Sequence, residues 1–219
     1  MEPARQGLGT TTVTYLARHG ETSSNVVGRY AGESDEPLTP LGRSQVRGLA
    51  AQLAQCGIGQ IWTSQVARAS ESAHILAEAL GVDVRLDPRL NEMQMGPWEG
   101  LTEEEVAAQY AEEYRTWLGS PDRLSLAGRE TLDMVAARVM EAVREAAAGP
   151  CAVLLVTHVA PMRVAALRTL DVPLSRYKRL QVRNAECLAV HTAVREVRRL
   201  GATRSLRHEI GDGSLQQVG

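Results

Sequence analysis

The stretch Val13-Thr14-Tyr15-Leu16-Ala17-Arg18-His19-Gly20-Glu21-Thr22 runs from a β-prone segment straight into a histidine set between an arginine and a glycine. A histidine just past a buried strand suits phosphate chemistry. Imidazole can serve as a nucleophile, a guanidinium can hold anionic oxygens, and glycine lets backbone approach a ligand. Far downstream, Ala152–Thr157 is a continuous apolar run of the kind buried on both faces of a sheet, and it ends at a second histidine, His158.

Working outward from these two strands, helical and strand-like segments alternate. Val13–Ala17 is the first strand, and a loop rich in Gly, Ser and Asp follows as far as Pro37. Thr39-Pro40 supplies an N-cap and a proline at the first helical position, Val46, Leu49, Ala50 and Leu53 recur at helical spacing, and Gly57 closes that helix. Ile58–Thr63 reads as a strand, Gln65–Leu80 as a helix stopped by Gly81, and Val82–Leu86 as a strand. Thr102 and Glu105 form a capping-box signature for one helix running to about Trp117. Leu132, Val135, Ala136, Val139, Met140 and Val143 mark an amphipathic helix; another spans Pro161 to Leu170, and Cys187–His191 and Val194–Leu200 form a closing strand pair. Such alternation predicts an α/β fold, a three-layer α/β/α sandwich with a mostly parallel sheet. Residues 12–202 read as one domain with a small helical cap insertion at about 99–130, preceded by a flexible 1–11 segment and followed by a polar, mobile 203–219 tail. Ligands of such sheets bind at the carboxyl ends of the strands, the edge on which His19 and His158 both fall.

Composition sets bounds on function. The 219 residues are 44% hydrophobic and 23% charged, enough for a sizeable core, and the net charge of −2 gives no electrostatic footprint for nucleic acid or an anionic membrane. Cys56, Cys151 and Cys187 are odd in number, far apart and set in or beside apolar runs, so they read as buried free thiols in a reducing cytoplasm. The first residues lack the apolar core of a signal peptide, and no run is long enough to cross a membrane. The histidines, His74, His191 and His208 among them, show no metal-ligand spacing, so no metal and no cofactor are expected.

Five segments, in order, resemble the histidine phosphatase superfamily, which includes cofactor-dependent phosphoglycerate mutases, α-ribazole phosphatases and broad-specificity phosphatases. They are Arg18-His19-Gly20-Glu21-Thr22 with Asn25; Pro37-Leu38-Thr39 with Gly42 and Gln45; Thr63-Ser64 with Arg68-Ala69; Leu90-Asn91-Glu92 with Gly96 and Trp98-Glu99-Gly100; and Val156-Thr157-His158. The resemblance implies a phosphoglycerate mutase-like fold and a metal-independent phosphomonoester hydrolase acting on a small phosphorylated metabolite. It makes His19 the nucleophile, forming a phosphohistidine, and Glu92 the proton donor to the leaving group. Arg18, Arg68 and His158 would surround the phosphoryl oxygens, with Asn25 a further donor. It also carries homodimerisation as an option. Physical chemistry agrees: phosphoryl transfer is mainly positioning and charge stabilisation, and the leaving alkoxide needs a proton. Arginines would lower the pKa of Glu92 and a phosphate dianion would raise it.

Several positions carry more than one reading. Thr22 can bond phosphate or cap the adjoining helix. Many family members have glycine after the second histidine; here Val159 keeps the backbone N–H for phosphate but stiffens the chain. The run His158-Val159-Ala160-Pro161 resembles phosphatase modules appended to ribonuclease H domains. Arg176, Lys178, Arg179 and Arg183 read as a solvated basic loop, and Trp98 and Trp117 as packing residues of the core or cap. In the cap, Glu99, Glu103, Glu104, Glu105, Glu112, Glu113, Asp122 and Glu130 outnumber Arg115, Arg123 and Arg129, which predicts a lid that repels highly anionic leaving groups. That balance favours hydrolysis over a mutase, and retention of Glu92 disfavours a purely phospholigand-binding protein.

Overall fold

The computed structural model describes residues 12–211. In chain order the elements are β1 (Thr14–Arg18), α1 (Ser23–Val27), α2 (Pro40–Leu53), β2 (Ile58–Thr63), α3 (Ala67–Leu80), β3 (Val84–Leu86), α4 (Glu103–Gln109), α5 (Ala111–Gly119), α6 (Leu132–Ala147), β4 (Ala152–Thr157), α7 (Val159–Thr169), β5 (Cys187–His191), β6 (Glu196–Arg199) and α8 (Arg207–Ile210). The strands form one sheet in the order β3-β2-β4-β1-β5-β6. Pairing is parallel from β3 through β1, and β5 and β6 add antiparallel edge strands. The expected α/β architecture is therefore present, with its parallel half next to an antiparallel edge.

Period-two alternation in the central strands divides the core between the two faces. Ala17, Leu154 and Val156 pack with Val46, Leu49 and Leu53 of α2 and with Ala69, Ala73 and Leu76 of α3. Leu16, Val153 and Leu155 face the other way, onto Val135, Val139 and Val143 of α6 and onto Met162, Ala165 and Ala166 of α7. Both faces are covered, which is why β4 is apolar throughout.

Some expectations shift. The Gly- and Ser-containing loop after His19 holds a short helix, α1, closed by a Thr22–Asn25 capping box, the capping role the sequence left open for Thr22 beside phosphate contact. The single helix expected from Thr102 to Trp117 is two, α4 and α5, broken at Tyr110 (φ −132°, ψ 49°). Helix α3 starts at Ala67 because Val66 is extended and the backbone N–H of Gln65 bonds Asn91. Helix α7 begins at Val159, two residues before Pro161. Of the expected 203–219 tail, Arg207–Ile210 forms α8, which buries Ile210 with the adjacent Leu206 in the core; residues 212–219, like the 1–11 segment, lie outside the described residues. Only Cys187 is fully buried, whereas Cys56 and Cys151 are half-buried. No helix among the described residues is long and apolar enough to cross a membrane.

Candidate active site

The register of the β1–β4 pair builds the centre of the site. Arg18 stands opposite Thr157, so the next residues, His19 and His158, leave the sheet side by side. The amide of His19 donates to Thr157 O at 3.1 Å, and the two imidazoles meet edge to face with centroids 5.1 Å apart. Both are buried, His19 to 2% exposure and His158 completely. The Nδ1 of His19 lies 2.6 Å from Gly20 O. A carbonyl can only accept, so Nδ1 carries the proton and Nε2 keeps its lone pair. Burial, with Arg18 and Arg68 close by, holds the pKa of His19 well below 6.5, so the ring is neutral at neutral pH.

Arg68, on the first turn of α3, donates from Nε to that Nε2 at 3.3 Å. Its outer nitrogens reach the loop that follows α1, with Nη1 on Ser34 O (2.9 Å) and Nη2 on Ala31 O (2.8 Å) and Gly32 O (3.0 Å). One Nη1–H is thus left for a ligand, and the Nε–H is held by the His19 lone pair.

His158 has a fixed tautomer. Asn91 Oδ1 accepts from Ser64 Oγ and from Gln65 N, each at 2.9 Å. With its only proton spent there, Ser64 Oγ accepts from His158 Nε2–H at 2.9 Å. The Nδ1 of His158 is left bare, buried and without a partner among the described residues. Burial, then Arg68 and His19, keep this ring's pKa well below 6.5.

Glu92 is 5% exposed, and its Oε1 accepts from Met93 N (2.8 Å) and Ala160 N (3.3 Å) at the start of α7. Burial pushes its carboxyl pKa up and outweighs the opposing pull of the Met93 N–H bond and of Arg68, Arg18 and Arg138. Desolvation, which the sequence did not bring into that balance, thus biases Glu92 toward the protonated form. Arg138 of α6 fixes the loop carrying Glu92: Nη1 donates to Arg89 O (2.8 Å) and Asn91 O (2.7 Å), and Nη2 to Glu92 O (3.0 Å). Glu130 clamps the same guanidinium through Nε and Nη2, both at 2.9 Å.

Arg18 is half-buried, with Nη1 on Val182 O at 2.9 Å and Nε without an acceptor among the described residues; burial lowers its pKa to about 10. Asn25 Oδ1 is occupied by Thr22 N (3.2 Å) and Asn184 Nδ2 (2.8 Å), which leaves its own amide N–H groups free to donate. A cavity of about 400 Å³ opens beside Arg18, Asn25 and Asn184 toward Tyr30 and Glu103. Thr22, a candidate phosphate ligand by sequence, is instead the buried N-cap of α1. Val159 opens α7, where a first-turn N–H has no intrahelical acceptor, so its side chain does not remove the donor. Gly20 serves a purpose other than ligand approach. A Cβ there would lie 2.4 Å from Gly42 O, and its amide bonds Ser72 Oγ at 3.1 Å. Ser64, Arg138 and Asn184 escaped prediction as site residues because each acts through a distant partner.

The family model described as histidine phosphatase superfamily (branch 1) matches residues 14–200. Phosphoserine phosphatase 1 of Hydrogenobacter thermophilus is 34% identical over 80% of this chain and 84% of its own. The probable phosphoglycerate mutase GpmB of Enterobacter sp. is 34% identical over 78% of this chain and 80% of its own. Among solved structures, a mycobacterial glucosyl-3-phosphoglycerate phosphatase complexed with VO3 is similar with a TM-score of 0.75 and 30% identity, over 81% of this chain and 92% of that one. The α-ribazole phosphatase of Shigella flexneri gives a TM-score of 0.76 at 25% identity, over 87% of this chain and 96% of that one. With the family's model matched from β1 to the end of β6, the chain belongs to the histidine phosphatase superfamily, branch 1.

Proposed function

We propose that the chain hydrolyses a small phosphomonoester through a phosphohistidine on His19. The observation that carries this reading is a neutral His19 whose unprotonated Nε2 accepts only from Arg68, set beside His158 and a carboxyl biased toward its protonated form. Phosphate enters between Arg18, Arg68, His158, the Asn25 amide and the Val159 N–H. Turning to the phosphate, Arg68 Nε–H uncovers the His19 Nε2 lone pair it otherwise bonds. His19 Nε2 then forms the N–P bond as the ester O–P bond breaks, and the proton of Glu92 passes to the departing alkoxide. The resulting carboxylate takes a proton from water as the water oxygen attacks phosphorus; phosphate leaves and both groups are restored. None of these steps calls on a metal ion.

The names of the relatives support a phosphatase first, and a phosphoglycerate mutase as a second reading. The test is phosphate release from a panel of phosphomonoesters in the presence of a chelator, with rapid-quench detection of label on His19. Turnover that survives the chelator and is lost in His19→Ala supports the proposal. Turnover without a phosphorylated His19, or conversion of 3- to 2-phosphoglycerate exceeding phosphate release, overturns it.

A further inference from the structure

The basic segment after α7 is less solvated than its sequence suggests. Lys178 is half-buried with Nζ 4.6 Å from the Trp117 ring, and of the cations read there only Arg179 and Arg183 are exposed. The residues that follow, 181–186, run along the edge of the proposed phosphate site. Val182 O accepts from Arg18 Nη1 at 2.9 Å, and Glu186 O accepts from the Arg18 amide at 2.9 Å. Asn184 Nδ2 donates to Asn25 Oδ1 at 2.8 Å and to His19 O at 3.4 Å, and the Ala185 amide donates to His19 O at 3.0 Å. Arg18, Asn25 and Asn184 all line the cavity of about 400 Å³ beside the site.

Apolar packing fixes only part of this loop. Val182 is buried, whereas Arg183 is exposed and Asn184 and Glu186 are half-buried. Ala185 sits at φ 52°, a left-handed conformation that is costly for a residue other than glycine and persists only under constraint. A second cavity, about 330 Å³, is lined by Gln181, Arg183, Glu186, Arg199 and Glu209. The constraint is Arg199, the last residue of the antiparallel edge strand β6. Its Nη1 pairs with the Glu186 carboxylate and its Nη2 donates to Gln181 O at 3.0 Å, so one guanidinium grips both ends of the loop. Glu209 of α8 holds the same guanidinium, accepting from Nη2 at 2.8 Å and from Nε at 3.2 Å. The other oxygen of Glu186 accepts from the Arg183 amide at 2.7 Å and closes the loop on itself. With side chains only 26% and 17% exposed, Arg199 and Glu186 are shielded from water, and their pairing is worth more than that of a surface pair.

We infer that Arg199 is a positioning residue for the phosphate site: it clasps loop 181–186 to the edge strand, and the clasped loop holds Arg18 and Asn25 in their donating orientations. The inference rests on the proposed contacts of Arg18 and Asn25 with phosphate. Asn184 carries the effect to Asn25, because its Nδ2 occupies Asn25 Oδ1 and so fixes which end of that amide is left to donate. With the clasp open, Arg18 loses the Val182 carbonyl that holds one guanidinium nitrogen, and the Asn25 amide is free to flip. Glu92 is held by the Met93 and Ala160 amides and by Arg138, so proton donation does not depend on the clasp.

The experiment measures inorganic phosphate affinity by calorimetry, and steady-state kinetics on p-nitrophenyl phosphate and an alkyl phosphate, in variants whose thermal melts show them folded. Loosening one charged donor and one amide donor should weaken phosphate binding about ten-fold in Arg199→Met. KM for both esters should rise together while the ratio of their kcat values stays at that of the wild type, because Glu92 is unaffected. Glu186→Gln opens the clasp from the loop side and should give the same pattern with β6 intact. Asn184→Ala should weaken phosphate binding by itself, and adding Arg199→Met to it should cost less than in the wild type. Arg198→Met is the control: its guanidinium pairs with Glu196 of the same strand at 2.7 Å, and its loss should leave phosphate affinity unchanged. Unchanged phosphate affinity in folded Arg199→Met or Glu186→Gln, an equal loss in Arg198→Met, or full additivity with Asn184→Ala overturns the positioning role. Affinity lowered by Arg199→Met, with no ester hydrolysed by the wild type, supports the clasp and overturns the phosphatase reading instead.

Discussion

Replacing Arg138 by methionine would separate placement of Glu92, the proposed proton donor, from the rest of the site. The guanidinium closes the loop over Arg89, Asn91 and Glu92 through three carbonyls and is clamped by Glu130; its side chain is only 20% exposed and that of Glu130 11%. Methionine keeps much of the apolar stem but leaves three carbonyls and a shielded carboxylate without their cation. Charge-assisted bonds of this kind are worth about 1.5–3 kcal/mol each, but water can enter part of this site, so a total near 3 kcal/mol is the working figure. In a domain of this size that lowers the melting temperature by about 6–12 °C. Catalysis should suffer selectively. A p-nitrophenolate leaves without help, whereas an alkoxide needs the proton of Glu92, and a positioned acid contributes about 10²–10⁴-fold. Arg138→Met should therefore reduce kcat for an alkyl phosphate at least ten-fold more than for p-nitrophenyl phosphate, read from steady-state kinetics beside a thermal melt. A melting shift with equal losses on both substrates would refute the positioning role. An unchanged melting temperature would refute the energetic argument.

Three further outcomes follow from the same geometry. Glu92 is raised in pKa, so the protonated donor is lost as pH rises through that value; kcat/KM on alkyl esters should fall along this alkaline limb, and Glu92→Gln should abolish the limb and depress the alkyl rate throughout. Ser64→Ala strands His158 Nε2–H and a lone pair of Asn91; it should cost about 1–3 kcal/mol in urea unfolding and weaken inorganic phosphate binding measured by calorimetry. The unfolded chain protonates its histidines near pH 6.5 while buried His19 and His158 resist it, so stability is full above that pH and declines below it. Urea midpoints at pH 7.5 and 5.5 should differ in the wild type and differ by less in His158→Gln, where His19 alone keeps the dependence.

Those parts of the molecule governed by local patterning were legible in the chain. Strand β4 is apolar because helices cover both faces, and the Thr39-Pro40 start of α2 is a cap that works the same way in any context. His19, Arg68, Glu92 and His158 do converge, since each ends or follows an element whose direction could be inferred. What escaped depends on tertiary partners. Tyr110 interrupts an otherwise continuous helical pattern, and Arg138 looks like any solvated helix residue until its carbonyl partners are known. The charge balance of the cap was legible but its placement was not: Glu103 and Glu104 line the cavity beside Arg18, whereas Arg129 is buried against Trp98 and Trp117.

Pairing of Arg18 with Thr157 makes the catalytic centre a product of long-range chain closure. The intervening α3 contacts both α2 and β2 locally and can form with them early, whereas β1 must find β4 across most of the sequence and pay the entropy of that loop. A slip of one residue would turn His19 to the opposite face and dismantle the imidazole pair. Recovery of activity during refolding is thus expected to trail recovery of helical circular dichroism, reporting strand register where the spectrum reports only content.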